Sequence, residues 1–231
     1  MAEVLELRQY TLHPGRRDEL IELFDREFVE TQDAVGAQVL GQFRDRDDED
    51  RFVWLRGFAD MATRGAALPA FYGGPVWRAH SARANATMID SDDVLLLRPV
   101  QNLDLAGVTR GGPTTLVTIT LYHLPTGGED AFLDFFQSNV EPLLTATGAR
   151  PAAVLRTLRA ENNFPALPVR EDANVVAWIA SFPTPDELGE HVRLLGRDTR
   201  WTHDTLPVLT KQLARPPEQL QLAPTDRSLL R

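Results

Sequence analysis

Glu6, Arg8 and Tyr10 stand at alternate positions of one alternating segment, so their side chains point to one face of a predicted strand. A carboxylate, a guanidinium and a phenol on an enclosed face must pair with one another or meet a polar ligand. Arg8 can hold an anionic or phenolate oxygen in a bidentate contact. The plainer reading is a Glu6–Arg8 pair bracing neighbouring strands. His80 follows Trp77 by three residues on a predicted helix and shares its face. Near neutral pH an imidazole there could take a proton from an acidic carbon or a phenol, with the indole as an apolar wall. The plainer reading is a capping or surface histidine. Trp54, Phe71, Tyr72 and Trp77 could line an apolar cleft, the usual form of a small-molecule site, or simply pack the core. The catalytic candidates are therefore His80, Tyr10 and Arg8. The substrate-binding candidates are Glu6, Trp54, Phe71 and Trp77.

The remaining candidates offer less chemistry. His13 and His123 fall near strand ends and read as solvated turn residues; His191 reads as exposed on a helix. No histidines stand four apart as metal ligands do, so neither a metal site nor a tightly held organic cofactor is expected; haem held by one histidine stays open as an alternative. The acidic stretch RDRDDEDR (44–51) lacks the glycine and glutamate spacing of a calcium loop and reads as a solvated hairpin tip. The Gly-Gly pairs at 73–74, 111–112 and 127–128 lack phosphate-loop spacing and read as turns, and no G-x-S-x-G elbow is present. The chain has no cysteine, which excludes disulfides, thiolate metal sites and thiol nucleophiles. All its basic residues but Lys211 are arginine, which leaves little scope for Schiff-base chemistry.

These residues are positioned by a duplicated unit. QYTLHPGRRDELIELF (9–24) lies over LYHLPTGGEDAFLDFF (121–136) at an offset of 112, with Tyr10 on Tyr122 and Phe24 on Phe136. Further along the offset becomes 124, and Trp54 then falls on Trp178 and Trp77 on Trp201. An extra 12 residues within 159–174 account for the change. Each half reads strand, helix, strand, strand, helix, strand. In the first half the strands are 3–12, 37–45, 51–59 and 92–100, with helical regions over 16–32 and 60–85, the latter broken by Gly-Gly-Pro. The second half repeats them at 114–123, 128–147, 150–158, 173–182, 184–210 and 218–223. This order is the ferredoxin-like β-α-β-β-α-β unit. The expected organisation is a first repeat over 1–100, a linker over 101–113 and a second repeat over 114–231. Strands apolar on both faces need cover on both sides, and the other repeat can supply the second cover. The fold class is α+β, two tandem ferredoxin-like units packed sheet to sheet as a barrel within one chain.

Composition sets the outer limits. The 231 residues suffice for two units of about 100 residues each. The formal net charge of −9 argues against nucleic acid and against an anionic membrane surface. No basic–apolar leader opens the sequence and no apolar run is long enough to span a bilayer, so a cytoplasmic protein is expected. A homodimer is possible, since most soluble oligomers are symmetric.

The stretch ELRQYTLHPGRRDELIELFDREF, with FYGGPVWRAHSARANATMIDSDDVLLLRP further on, resembles the NIPSNAP family. The Glu-Leu-Arg-x-Tyr strand, the Pro-Gly turn and the Trp-x-x-His helix carry the match. The second half is a weaker version, with Thr118 and Thr120 in place of Glu6 and Arg8. The resemblance implies a fold of the dimeric α/β-barrel superfamily, whose relatives include cofactor-free monooxygenases, polyketide cyclases, muconolactone isomerases and haem proteins. It implies ligands held between the sheet and the helices of one unit. Three functions follow as expectations: a cofactor-independent enzyme acting on an apolar or aromatic metabolite, a non-catalytic ligand or haem binder, and an interaction scaffold. If the chain is an enzyme, the first repeat, which keeps Glu6, Arg8 and His80, is expected to hold the pocket.

Overall fold

A computed structural model describes residues 2–101, 105, 108–111, 115–149 and 151–231. The expected linker and the Gly111–Gly112 pair lie in large part outside the described residues.

The first repeat runs β1 (Val4–Leu12), α1 (Arg17–Leu23), a π-helical turn (Phe24–Phe28), α2 (Val29–Asp33), β2 (Gln38–Asp45), β3 (Arg51–Phe58), α3 (Met61–Tyr72), α4 (Pro75–Asn85) and β4 (Met88–Gln101). The second runs β5 (Leu116–His123), α5 (Glu129–Phe135), a π-helical turn (Phe136–Val140), α6 (Glu141–Ala146), β6 (Ala153–Thr157), β7 (Val175–Phe182), α7 (Pro185–Arg197), a π-helical turn (Arg200–Thr205), α8 (Leu206–Gln212) and β8 (Glu218–Pro224). The π turns at Phe24–Phe28 and Phe136–Val140 stand at the offset of the repeat, so the duplication extends to a helix irregularity.

All strand pairings are antiparallel, and the order β1-β3-β2-β8-β5-β7-β6-β4 closes into a barrel. Each repeat contributes four strands in ferredoxin-like order. At one seam β2 meets β8 through Phe43 and Pro224; at the other β4 meets β6 through Leu97 and Thr157. Closure gives each of the eight described strands a partner on both sides. One chain thus supplies both sheets.

Strand alternation sorts the side chains. Leu5, Leu7, Val53 and Leu55 point into the barrel and form one aliphatic core with Val117, Ile119, Ala177 and Ile179 of the other repeat. The alternate positions lie under the helices. Tyr10 and Trp54 pack there on Phe24, Phe28 and Phe71, and Tyr122 and Trp178 pack on Phe132, Phe136 and Leu209. This double cover explains why the strands are apolar on both faces.

Local signals fix the helix ends. Asp60 caps α3 by accepting from the Thr63 amide at 2.6 Å, and Thr184 caps α7 by accepting from Glu187 at 3.3 Å. Between α3 and α4 the chain turns so tightly that a Cβ on Gly73 or Gly74 would lie 2.8 Å and 2.9 Å from the Pro69 and Ala70 carbonyl oxygens. Pro75 then opens α4.

The extra segment of the second half crosses to the first repeat. Phe164 stacks on Tyr72 at 5.9 Å, the Asn163 Nδ2 donates to the Met61 carbonyl at 2.5 Å, and the Arg170 amide donates to Val94 at 2.8 Å. Among the described residues no helix is long and apolar enough to cross a membrane.

Candidate active site

Strand β1 sets Glu6 directly opposite Arg56 and Arg8 opposite Trp54 on β3. Glu6, Arg8, Arg56 and Arg64 are all at most 1% exposed. The Glu6 carboxylate accepts from Arg8 Nη1 at 2.8 Å, Arg56 Nε at 2.8 Å and Arg64 Nε at 2.7 Å. Burial alone would raise the Glu6 carboxyl, but Arg56, Arg8 and Arg64 together hold it far below the usual carboxylate range. The Glu6–Arg8 pair is thus present, and it is part of a larger cluster in which one carboxylate faces three guanidiniums.

The remaining donors are mostly met. Arg56 Nη1 donates to Gln32 at 2.9 Å, and Arg64 Nη1 donates to Asn162 and Asn163 at 3.1 and 2.6 Å. Arg8 and Arg56 also lie over the Trp54 ring, at 5.5 and 5.0 Å. Tyr10 accepts from Arg8 Nε at 3.0 Å. Burial raises the Tyr10 phenol, with Arg8 opposing, so Tyr10 is neutral near pH 7.

Tyr10, Trp54, Phe71 and Trp77 converge on one cavity between this sheet and its helices, as their aromatic character suggests. That cavity measures only about 20 Å³, room for about one water. His80 is not among its lining residues. Its Nε2 lies 3.7 Å from the Glu27 carboxylate on the neighbouring helix. The structure gathers six of the seven candidate residues round one sheet face and sets His80 apart from them.

The second repeat has the same strand register and different contents. Thr118 lies opposite Ala180 and Thr120 opposite Trp178, as Glu6 lies opposite Arg56 and Arg8 opposite Trp54. At the repeat offsets Leu188 stands for Arg64, Leu144 for Gln32 and Gly196 for Tyr72. Small and aliphatic residues thus replace the cluster, and the space opens. A cleft of about 380 Å³ lies between the β5, β7 and β8 face and helices α6, α7 and α8, walled by Tyr122, Trp178, Trp201 and Leu209. The Trp178 Nε1 donates to the Tyr122 hydroxyl at 3.3 Å, and burial pushes the Tyr122 phenol up to about 12. Thr120 Oγ1 is buried in this wall with no hydrogen-bond partner among the described residues.

His191 also lines the cleft. The expectation of an exposed His191 is corrected: the residue is 5% exposed. Leu188, His191 and Leu195 share one face of α7, a helical spacing that marks His191 as inward-facing. Burial lowers its pKa below 6.5, so its ring is neutral near pH 7. His123 is likewise 6% exposed, and its Nε2 lies 2.8 Å from Arg215 Nη2, so it is a paired strand residue and not a solvated turn. Arg56 and Arg64 were not singled out by sequence, although the hairpin register that sets Arg56 opposite Glu6 could have found the former. Among the described residues no group of three His, Asp or Glu side chains is placed to hold a metal ion.

Residues 5–103 match the model of the NIPSNAP family. Over nearly its whole length the chain is similar to solved structures. One is a "putative monooxygenase" from Fusobacterium nucleatum, with 11% identity, a TM-score of 0.62 and coverage of 96% of this chain and 92% of that one. Another is an "anthrone oxidase-like protein", with 14% identity, a TM-score of 0.64 and coverage of 97% and 92%. At such identities the likeness shows a shared fold. No curated protein matches the chain.

Proposed function

We propose, for a chain whose residues 5–103 form a NIPSNAP-family domain, that it binds a small apolar or aromatic molecule in the second-repeat cleft. There it acts as an enzyme of the monooxygenase, cyclase or isomerase type through side-chain acid–base chemistry. The observation that carries this reading is the contrast in volume, about 380 Å³ in the second repeat against about 20 Å³ in the first. The larger space falls in the range of small-molecule sites and has their composition, aromatic walls with few polar groups. The monooxygenase and oxidase names of the two structural neighbours agree in direction. The first repeat, with its guanidiniums engaged, serves as the structural half.

Titration with 2-naphthol, followed by tryptophan fluorescence, tests the reading. Trp178 and Trp201 stand in the cleft wall, so the expected result is saturable quenching that survives Trp77→Phe in the first repeat. Quenching that never saturates, or that vanishes in Trp77→Phe, overturns it.

A further inference from the structure

The tautomer of His191 can be read from its surroundings. Its Nδ1 lies 2.9 Å from Thr147 Oγ1 and 3.3 Å from the Thr147 carbonyl oxygen. A carbonyl can only accept. The Thr147 hydroxyl proton is already directed to the Leu143 and Leu144 carbonyls, at 2.9 and 3.0 Å. Nδ1 therefore carries the ring proton, and Nε2 keeps its lone pair. Nε2 has no hydrogen-bond partner among the described residues, while the residue lines the cleft.

The rest of the lining says what can meet that lone pair. Among the described residues none that lines the cleft carries a formal charge at neutral pH, so an anionic ligand would find no counter-charge on them, and the net charge of −9 opposes it. The polar groups on the described lining residues are the Thr120 hydroxyl, which is buried, the Tyr122 hydroxyl, Gln219 and the indole N–H groups of Trp178 and Trp201, that of Trp178 being donated to Tyr122. Trp178, Trp201 and Tyr122 present aromatic surface that suits a planar body.

We infer that His191 is the specificity-determining acceptor of this cleft, and that the ligand is a neutral aromatic molecule carrying a hydroxyl or N–H donor aimed at Nε2. The inference rests on the reading that the second-repeat cleft is the binding site. The other groups near the imidazole do not compete for it. Tyr122 on β5 stays protonated well above neutral pH, β7 presents Phe182 at 5.5 Å, and the adjacent Glu190 and Arg193 of α7 are exposed and paired with each other. On the facing π turn Arg200, His203 and Asp204 are exposed.

Two probes of the same body separate the possibilities: 2-naphthol, which has a donor, and 2-methoxynaphthalene, which has none. Full-length protein should prefer the naphthol by about tenfold at pH 7.5, the worth of one net hydrogen bond. His191→Leu should bind both probes and lose the preference. The preference should fall as pH is lowered and Nε2 takes a proton, and burial, which disfavours the charged ring, places that fall below the range of an ordinary histidine. Equal binding of the two probes by the wild type, or a preference that survives His191→Leu, overturns the inference while leaving the cleft as the site. Failure of both probes to bind removes the cleft itself, and the inference with it.

Discussion

Trp178 donates its indole N–H to the Tyr122 hydroxyl at 3.3 Å, whereas the indole N–H of its counterpart Trp54 has no hydrogen-bond partner among the described residues and the Tyr10 hydroxyl accepts from Arg8 at 3.0 Å instead. One exchange, Arg8 for Thr120, therefore redirects the tyrosine and withdraws a guanidinium from beneath the helices. A second exchange, Tyr72 for Gly196, withdraws a phenol from above. Two copies of one unit have become a packed half and a hollow half without any change in strand register.

Gly196 is the simplest place to reverse this. A Cβ there meets nothing within 4 Å, and the residue lines the cleft. Gly196→Phe should fill the space and reduce 2-naphthol binding at least tenfold. Near the end of α7 the loss of a helical glycine should also add up to about 1 kcal/mol of stability. Gly189→Ala in the same helix, also in open space and away from the cleft, should give the stability gain alone. Thermal midpoints and probe titrations of the two variants check this. Equal binding by both would show that the cleft is not where the probe sits.

Thr120 carries a cost, since its buried hydroxyl has no hydrogen-bond partner among the described residues. Thr120→Val keeps the shape and removes that group. It should raise stability by about 1 kcal/mol. A urea midpoint that falls on substitution would mean that the hydroxyl already has a partner in solution.

The alternation of EVLELRQYTL and the tandem offset made the architecture legible, because burial on both faces leaves a periodic trace in sequence. The closed barrel followed from strands that needed two covers. The site was only half legible. Glu6, Arg8 and Tyr10 drew notice because charged residues in a strand must be answered, and the structure answers them with Arg56 and Arg64. The cleft arises from what is missing: Thr120, Ala180 and Gly196 are small where their counterparts are large, and absent volume has no motif. His191 was misplaced because its helix reads as strongly polar overall, with charged residues exposed on either side of the buried Leu188–His191 stripe.

Glu6 should be the costliest single residue of the first repeat. Glu6→Gln leaves three buried guanidiniums without their anion, and breaking such a pairing typically costs about 3–5 kcal/mol. Thr118→Val at the matching position should cost less than about 1 kcal/mol, since no ion pair is lost. The same pair of variants separates a pH effect. The folded-state carboxyl of Glu6 is held far below its ordinary 4.5, so its stabilisation is fully present above that value and drains away as pH falls below it. Urea midpoints between pH 7 and pH 3 should therefore fall less steeply in Glu6→Gln than in the wild type. Parallel curves would show that Glu6 is not the group being titrated.

The extra segment of the second half should act as a seal on the first. Asn163 accepts from Arg64 Nη1 at 2.6 Å and donates to the Met61 carbonyl at 2.5 Å, while Phe164 lies against Tyr72. Gly65 permits this approach, because a Cβ on it would lie 2.7 Å from Asn163 Nδ2. An alanine inside a helix ordinarily gains about 0.5–1 kcal/mol over glycine. At Gly65 that gain should be reversed, since the methyl group displaces Asn163 and leaves Arg64 Nη1, in the buried cluster, with Asn162 alone. Gly65→Ala should lower the thermal midpoint and speed amide exchange in α3 and in residues 159–174 together, and Asn163→Ala should reproduce the effect. If Gly65→Ala stabilises the protein, or the two segments exchange independently, the segment is an ornament on the surface and the first repeat is sealed by its own aromatic residues.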